Sequence, residues 1–365
     1  MDVLTTRALN RALLDRQLLL RRAELPAEAA LAHLLGLQSQ AVDPPYLGLW
    51  TRLEGFAADD LSALLVARKA VRIALMRSTL HLVTAADCLE LRALLAESLA
   101  RTVKGQFGGR LPGVDLAELA AEGARLAGET ALTFAELGKL LGRRWPDHDP
   151  NALAQTVRNL VPLVQVPPRG LWGRSGPAAH LTAEAWLGRG LDPAPSPDGH
   201  VLRYLAAFGP ASVKDMQKWS GLTRLKAAFT RLGPRLRRYR AESGEELYDL
   251  ADLAPPDAEA PAPVRFLPEF DNILLSHADR TRIMPDHHRA RVFTVNGIIR
   301  ASILVDGFVA GLWRVERSGA TATLAIEPFG ALDAEARTAL LEEGARLLAF
   351  LAPEAAHDLR ILPAG

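Results

Sequence analysis

Hydrophobic residues recur at three- and four-residue spacing through most of the first 250 positions, then at alternate positions over much of the remainder, so the chain reads as helical with a β-rich end. Two Pro-rich stretches, LDPAPSPDGH at 191–200 and LAPPDAEAPAPVRF at 253–266, have linker composition and divide it. Before the first break, Thr133 is placed to cap a helix over FAELGKLLG, with Glu136 at capping-box spacing. A second helix follows over DPNALAQTVRNL, then two extended stretches in VPLVQVPPRGLWGRS around a Pro-Pro-Arg-Gly turn. Helix, helix, hairpin is the order of a winged helix.

The order returns between the breaks. VLRYLAAFG ends at Gly209-Pro210, Ser212 caps a helix over VKDMQKWSG, TRLKAAFTRLG supplies a third helix, and LRRYRAESGEELYDL folds back at a Ser-Gly turn. A fainter copy lies in DDLSALLVARKAVRIALMRSTLHLV, where Arg68, Lys69, Arg72 and Arg77 cluster and RSTLHLV reads as a short strand. In the last part, VRFLPEFDNILLSHADRTRI, RVFTVNGIIRASILVDGFVAGLWRVER and ATATLAIEP read as strands, with hairpin turns at Asn296-Gly297 and Asp306-Gly307, closed by a helix over ALDAEARTALLEEGARLLAFL. The expected architecture is α+β and mainly helical: tandem winged-helix units over 1–110, 111–190 and 198–252, and a barrel-like β region over 262–365.

Composition narrows the class. A chain of 365 residues with 49% hydrophobic content is long enough for a sizeable core shared among two to four modules. The single cysteine, Cys88, allows no internal disulfide and fits a reducing compartment, and the charged N-terminus MDVLTTRALNRALL lacks a secretory apolar run, so a cytoplasmic location is expected. No uninterrupted apolar segment reaches the roughly 18 residues of a membrane span. Formal net charge is +1, so affinity for nucleic acid must come from local patches. The third unit has one: Arg224, Lys226, Arg231, Arg235, Arg237, Arg238 and Arg240, with no acidic residue between them and Tyr239 interleaved, suit phosphate contact. The bland reading is a solvated basic face beside an acidic neighbour.

The candidate chemistry lies in Gln38-Ser39-Gln40, within LLGLQSQAVDPPYLGLW. Leu31, Leu34 and Leu35 mark a helical face; Pro44 pushes Asp43 out of the helical region and Pro45 keeps the chain extended, which places the pair on a helix end. In a helix, positions i and i+2 diverge by about 200°, so the amides can converge only if the backbone at Ser39 is tight or extended. Taken alone, two amides at a helix end most simply satisfy backbone groups. Glu269 and Asp271 could pair as carboxylates, but a salt bridge or turn is the plainer role. His277, His287 and His288 with Asp279 and Asp286 lack metal-ligand spacing. Trp50, Trp172, Trp219 and Trp313 are expected in the core, and no phosphate-cradling loop or dinucleotide fingerprint is present.

Together, Gln38-Ser39-Gln40 with PPYLGLW, the RSTLHLV segment, LPEFDNILLSHADRTRI and VDGFVAGLWRVE resemble the AlkZ/YcaQ family of winged-helix DNA glycosylases over nearly the whole chain. The resemblance implies a C-shaped array of winged helices with a β-rich region, and excision of alkylated bases, including those in interstrand crosslinks. It implies Gln38 and Gln40 as the catalytic pair, in the two-Gln form associated with self-resistance to crosslinking natural products; Ser39 stands where the family carries an aliphatic residue. Arg77, Thr79 and His81 would then face DNA with the basic winged helix. The implied partner is double-stranded DNA with alkylation or crosslink damage, met by a monomer without cofactor. A non-enzymatic winged-helix regulator or ligand-binding module, with structural glutamines, is the alternative.

Overall fold

The computed structural model describes residues 1–364. Among these, helices and strands alternate in an α+β arrangement with three open sheets. The six-stranded sheet runs in the order Leu37–Gln38, Leu80–Thr84, Ala70–Ala74, Leu163–Gln165, Ala179–Thr182, Leu132–Thr133. It therefore crosses the expected boundary near residue 110, joining the first and second units through the pairs Arg72–Gln165 and Ile73–Val164. The five-stranded sheet of the last part begins Arg265–Leu267, Ser302–Val305, Phe308–Ser318, Thr321–Pro328, and ends with Ala356–Ile361 parallel to its neighbour. It is not closed, so the expected barrel is instead an open sheet with Ala334–Leu351 packed on it.

Local signals form the elements where they are strong. Thr133 Oγ1 accepts from the Glu136 amide at 3.2 Å while Glu136 Oε2 accepts from the Thr133 amide at 2.8 Å, the reciprocal cap that starts Phe134–Gly142. Asp149 caps Pro150–Leu160, with Pro at the first helical position where no amide is needed. Ser212 and Asp215 form the same box at Val213–Ser220, between Pro197–Phe208 and Lys226–Leu232, and the hairpin Leu236–Ala241 with Glu246–Leu250 completes that unit. Asp306 at φ 46° and Gly307 at φ 82° make the tight turn into Phe308–Ser318.

Other expectations change. In the second unit LWGRS is not a strand; the return strand is Ala179–Thr182. LPEFDNILLSHADRTRI is strand only at its start, then a single turn of 3₁₀ helix, Asn272–Leu274, and irregular chain. The segment after 191 is soon helical, because Ser196 caps Pro197–Phe208.

The core does not respect the linkers. Leu13 and Leu14 of the first helix, Thr6–Arg16, share one apolar cluster with Tyr204, Phe208 and Trp219 of the third unit and with Ile273, Ile283 and Leu304 of the last part. A second joins Leu31, Tyr46 and Trp50 to Trp313, Leu324 and Leu347, while the second unit keeps its own around Leu119, Leu137 and Val157. Trp50, Trp219 and Trp313 are buried as expected; Trp172 is only partly so. Among the described residues no helix is long and apolar enough to cross a membrane.

Polar clamps fix these packings. Arg52 and Asp271, neither side chain exposed at all, pair through Nη1–Oδ2 at 2.8 Å and Nη2–Oδ1 at 2.7 Å. Asp271 is thus an ion-pair partner rather than half of a carboxylate pair with Glu269, which lies exposed. Removing one member of a buried pair leaves the other charge desolvated and uncompensated. Asp271→Ala is therefore expected to lower unfolding free energy by about 3–5 kcal/mol, read from the urea midpoint at unchanged slope.

Candidate active site

Gln38 ends a short strand rather than a helix, and Gln40 lies in the bend that follows it. The helix Ala27–His33 stops in a Schellman arrangement: Leu35 is left-handed at φ 55°, and the Gly36 amide donates to Leu31 O at 3.0 Å. Gly36 itself sits at φ 88°, and a Cβ there would come within 2.5 Å of Val83 Cγ1 and 2.7 Å of Leu82 O, so glycine is required. The turn drops the chain beside Leu80–Thr84, where Leu37 pairs with Leu82 and Gln38 with His81, and the Ser39 amide donates to Leu80 O at 2.7 Å. The strand ends at Gln38 and Gln40 lies in the bend that follows, so the backbone near Ser39 is not helical, which is the condition for the two amides to act at one point. Pro44 and Pro45 do not hold the chain extended; they occupy the first turn of the helix Asp43–Trp50, where their missing amides cost nothing.

The two amides have different surroundings. Gln38 is buried, and its Oε1 accepts from Arg77 Nη2 at 2.9 Å; because arginine only donates, this bond fixes which end of the amide points where. Arg77 Nη1 donates to Trp219 O, at the end of a helix of the third unit. Burial, and then the charge of Arg280, pull the Arg77 guanidinium down to about 10, so it remains charged at neutral pH. Both of its Nη groups are engaged with protein acceptors, so Arg77 locks Gln38 in place. Gln40 is exposed, and its amide has no partner among the described residues.

The connection carrying Arg77 is strained. Arg77 at φ 57° and Ser78 at φ 60° are consecutive left-handed residues that are not glycine, each costing about 1–2 kcal/mol. Such conformations persist where surroundings over-determine them, as at functional sites. Here the second unit does so: Ser78 Oγ donates to Asn159 Oδ1 at 2.5 Å and Arg158 Nη1 to Ser78 O at 3.1 Å. Thr79 Oγ1 donates to Met76 O at 3.0 Å, turning its hydroxyl inward. His81 donates from Nδ1 to Thr79 O at 3.0 Å, which leaves Nε2 as the bare ring nitrogen. Burial first, then Arg77, push the His81 imidazole down to about 3, so it is neutral beside Gln38.

Arg72 is the residue that sequence reasoning misplaced. It was grouped with Arg68, Lys69 and Arg77 as a basic surface segment, but it is a buried strand residue. Its Nε donates to Ser39 Oγ at 2.9 Å, its Nη2 to Ser39 O at 2.8 Å and Ala41 O at 3.1 Å, and its Nη1 to Gln165 Oε1. Ser39, fully buried, thus has a polar partner that an aliphatic residue would forfeit. Arg68 instead lies over the Trp186 ring and bonds Trp186 O, and Lys69 pairs with Glu28.

The basic winged helix is partly neutralised. Arg231 pairs with Asp198 at 2.5 Å, Arg237 with Asp2 at 2.8 Å and Arg238 with Glu246 at 3.4 Å. Tyr239 is 2% exposed, packed with Leu9 and Leu247 beneath Arg237, and offers no face to a ligand. Arg224 and Arg235 are exposed with no ion-pair partner among the described residues, and exposed Lys226 lies close enough to Glu246 to help hold its carboxyl below the usual range. The turn before Arg224 adjoins the glutamine site: a Cβ at Gly221 would stand 3.7 Å from the Arg77 amide nitrogen. His277 bonds Ser276 Oγ and Phe208 O, His287 and His288 meet edge-on, and among the described residues no group of three or more His, Cys, Asp or Glu is placed to hold a metal ion.

The neutral histidines give the fold a pH signature. His81 at about 3 and His180 at about 4 stay unprotonated where the unfolded chain, near 6.5, takes up protons. The unfolded state then binds more protons, so stability falls as pH drops below about 6.5, by about 2 kcal/mol per histidine at pH 5. His81→Gln is expected to remove one proton from the pH slope of unfolding free energy between about pH 4 and 6.5; denaturation at several pH values reads it, and an unchanged slope would count against a neutral His81.

The chain as a whole resembles known proteins. A curated relative from Streptomyces sahachiroi, described as an interstrand DNA cross-link repair glycosylase, is 28% identical over 128 residues. That alignment covers 32% of this chain and spans about a third (33%) of the relative's length. The solved structure of the Streptomyces sahachiroi DNA glycosylase AlkZ superposes with a TM-score of 0.79 at 21% identity, over 99% of this chain and 100% of that one, which establishes the shared fold. The family model for AlkZ-like DNA glycosylases matches residues 31–350, from the helix before Gln38 to the last helix, and the chain belongs to that family.

Proposed function

We propose that this protein is a monofunctional DNA glycosylase that hydrolyses the N-glycosidic bond of cationic, N7-alkylated purines in duplex DNA, including bases tethered in interstrand crosslinks. The observation that carries the proposal is the asymmetric pair: Gln38 buried and fixed by Arg77, Gln40 exposed and without a partner among the described residues, in the bend two residues further on.

An amide cannot take a proton near neutral pH, so neither residue is a general base. A cationic alkylpurine makes little demand for one, because the departing base leaves neutral. What remains is to place a water and to stabilise an oxocarbenium-like sugar with oriented dipoles. Gln40, with its carbonyl oxygen unoccupied, holds the attacking water; Gln38, held in one orientation by Arg77, orients that water and the sugar. A neutral His81 adds no positive charge beside the developing cation.

Arg224, Lys226 and Arg235 bind phosphates of the same duplex and set its register, the role that other cations of that unit give up to Asp198, Asp2 and Glu246. A crosslinked base is tied to the opposite strand and cannot be rotated into a closed pocket, so the site must be an open groove. The exposure of Gln40 supports such a groove. The Asn296-Gly297 hairpin, with Val295 fully exposed at its tip, is suited to probing the stacked bases.

Alkali-revealed strand cleavage of a duplex with one N7-methylguanine, and gel unhooking of a crosslinked duplex, test this reading. Release above spontaneous depurination by the wild type, lost by about 100-fold or more in Gln40→Ala and in Gln38→Ala with duplex binding retained, is expected. Release untouched by both substitutions would place the chemistry elsewhere.

A further inference from the structure

We infer that Arg72 is a positioning residue for excision, a buried fork that sets the backbone, and through it the amide, of Gln40. The inference rests on the proposed role of the glutamine pair. Its basis is which atoms the guanidinium holds. Nη2 bonds Ser39 O at 2.8 Å and Ala41 O at 3.1 Å, the carbonyls of the residues on either side of Gln40, while Nε bonds Ser39 Oγ at 2.9 Å. The 39–40 and 41–42 peptide units, which bracket the exposed glutamine and the residue after it, are therefore tied to one rigid plane. That plane is oriented from the second unit: Nη1 donates to Gln165 Oε1, and Gln165 pairs with Arg72 across adjacent strands. Gly170, at φ 100°, lies against the same side chain, and a Cβ there would stand 3.0 Å from Arg72 Cδ.

The arrangement makes poor sense as a device for stability alone. Arg72 is 3% exposed and has only neutral oxygens as hydrogen-bond partners. Burying a cation among neutral oxygens is costly, and a well-packed apolar side chain would fill the same space without that cost. Burial draws the guanidinium down to about 10 and leaves it charged at neutral pH. What an apolar residue cannot supply is three directed bonds onto one turn. Lysine retains the charge but has no planar fork, so Arg72→Lys separates geometry from charge.

The experiment compares wild type, Arg72→Lys, Gln40→Ala and the double variant in single-turnover excision of N7-methylguanine. In parallel it measures affinity for a duplex carrying a cationic 1-azadeoxyribose, which mimics the oxocarbenium sugar, relative to undamaged duplex; urea unfolding checks that each protein is folded. Arg72→Lys is expected to slow excision by about 10- to 100-fold, the scale of an ångström-level misplacement. It should weaken preference for the mimic in parallel, with undamaged-duplex affinity unchanged. In the Gln40→Ala background, Arg72→Lys should cost no further preference for the mimic, because a residue acting through Gln40 has nothing left to act on. Wild-type excision by Arg72→Lys, or an equal loss of preference in both backgrounds, overturns the inference. Normal excision by Gln40→Ala would instead overturn the reading of the glutamine pair, and the inference with it. Should Arg72→Lys fail to fold, Ser39→Ala removes one acceptor of the fork, and the same non-additivity at several-fold size is expected.

Discussion

The buried ion pair between Arg52 and Asp271 is the constraint on which the arrangement depends. Arg52 also donates to Gly48 O at 3.0 Å, and Asp271 Oδ1 accepts from the Ile273 amide at 3.1 Å, so both charges are anchored in their own segments. The residue after Asp271 continues the clamp: Asn272 Nδ2 donates to Gly36 O at 2.8 Å, at the turn that delivers the chain to Gln38. Desolvating two charges offsets much of their attraction, so what the pair contributes is chiefly a fixed relation between segments 219 residues apart. A stretch of the C-terminal part thereby holds the turn that enters the candidate active site.

From that turn onward each part of the site is held by a different unit. Trp219 of the third unit seats Arg77, Arg77 aims Gln38, and Asn159 with Arg158 of the second unit stabilise the left-handed connection carrying Arg77. Gln165 of the second unit orients Arg72 on the other side. Fixed dipoles act on a developing charge only when they need not reorganise, and a pair of glutamines has no proton chemistry to fall back on. The number of elements converging on three consecutive residues follows from that need.

What was legible in the sequence was local. The caps at Thr133 and Ser212, the Asp306-Gly307 turn and the helices and hairpin of the third unit are written in neighbouring residues, and they appear as read. Membership of the AlkZ-like family was legible too. The strand under the glutamines was not, because Leu37–Gln38 is two residues long and exists only by pairing with residues more than forty positions away. Pro44-Pro45 misled, since the same dipeptide that stops one helix is well suited to start another. Arg72 and Tyr239 misled for a common reason: charge and polarity along the chain do not reveal which side of a strand faces inward. Similarly, the acids that neutralise Arg231 and Arg237 come from positions 198 and 2, invisible to a count of charges within the segment.

The central claim is spatial: the reacting sugar meets the two amides at the strand edge. Its most direct test is a crystal structure of the protein on a duplex carrying the 1-azadeoxyribose mimic at one position. The account predicts the mimic's ring nitrogen within about 3 Å of Gln40 Oε1, or of a water held by it, with Gln38 still bonded to Arg77. A sugar lying out of reach of both amides, with the duplex bound only across the third winged helix, would contradict it.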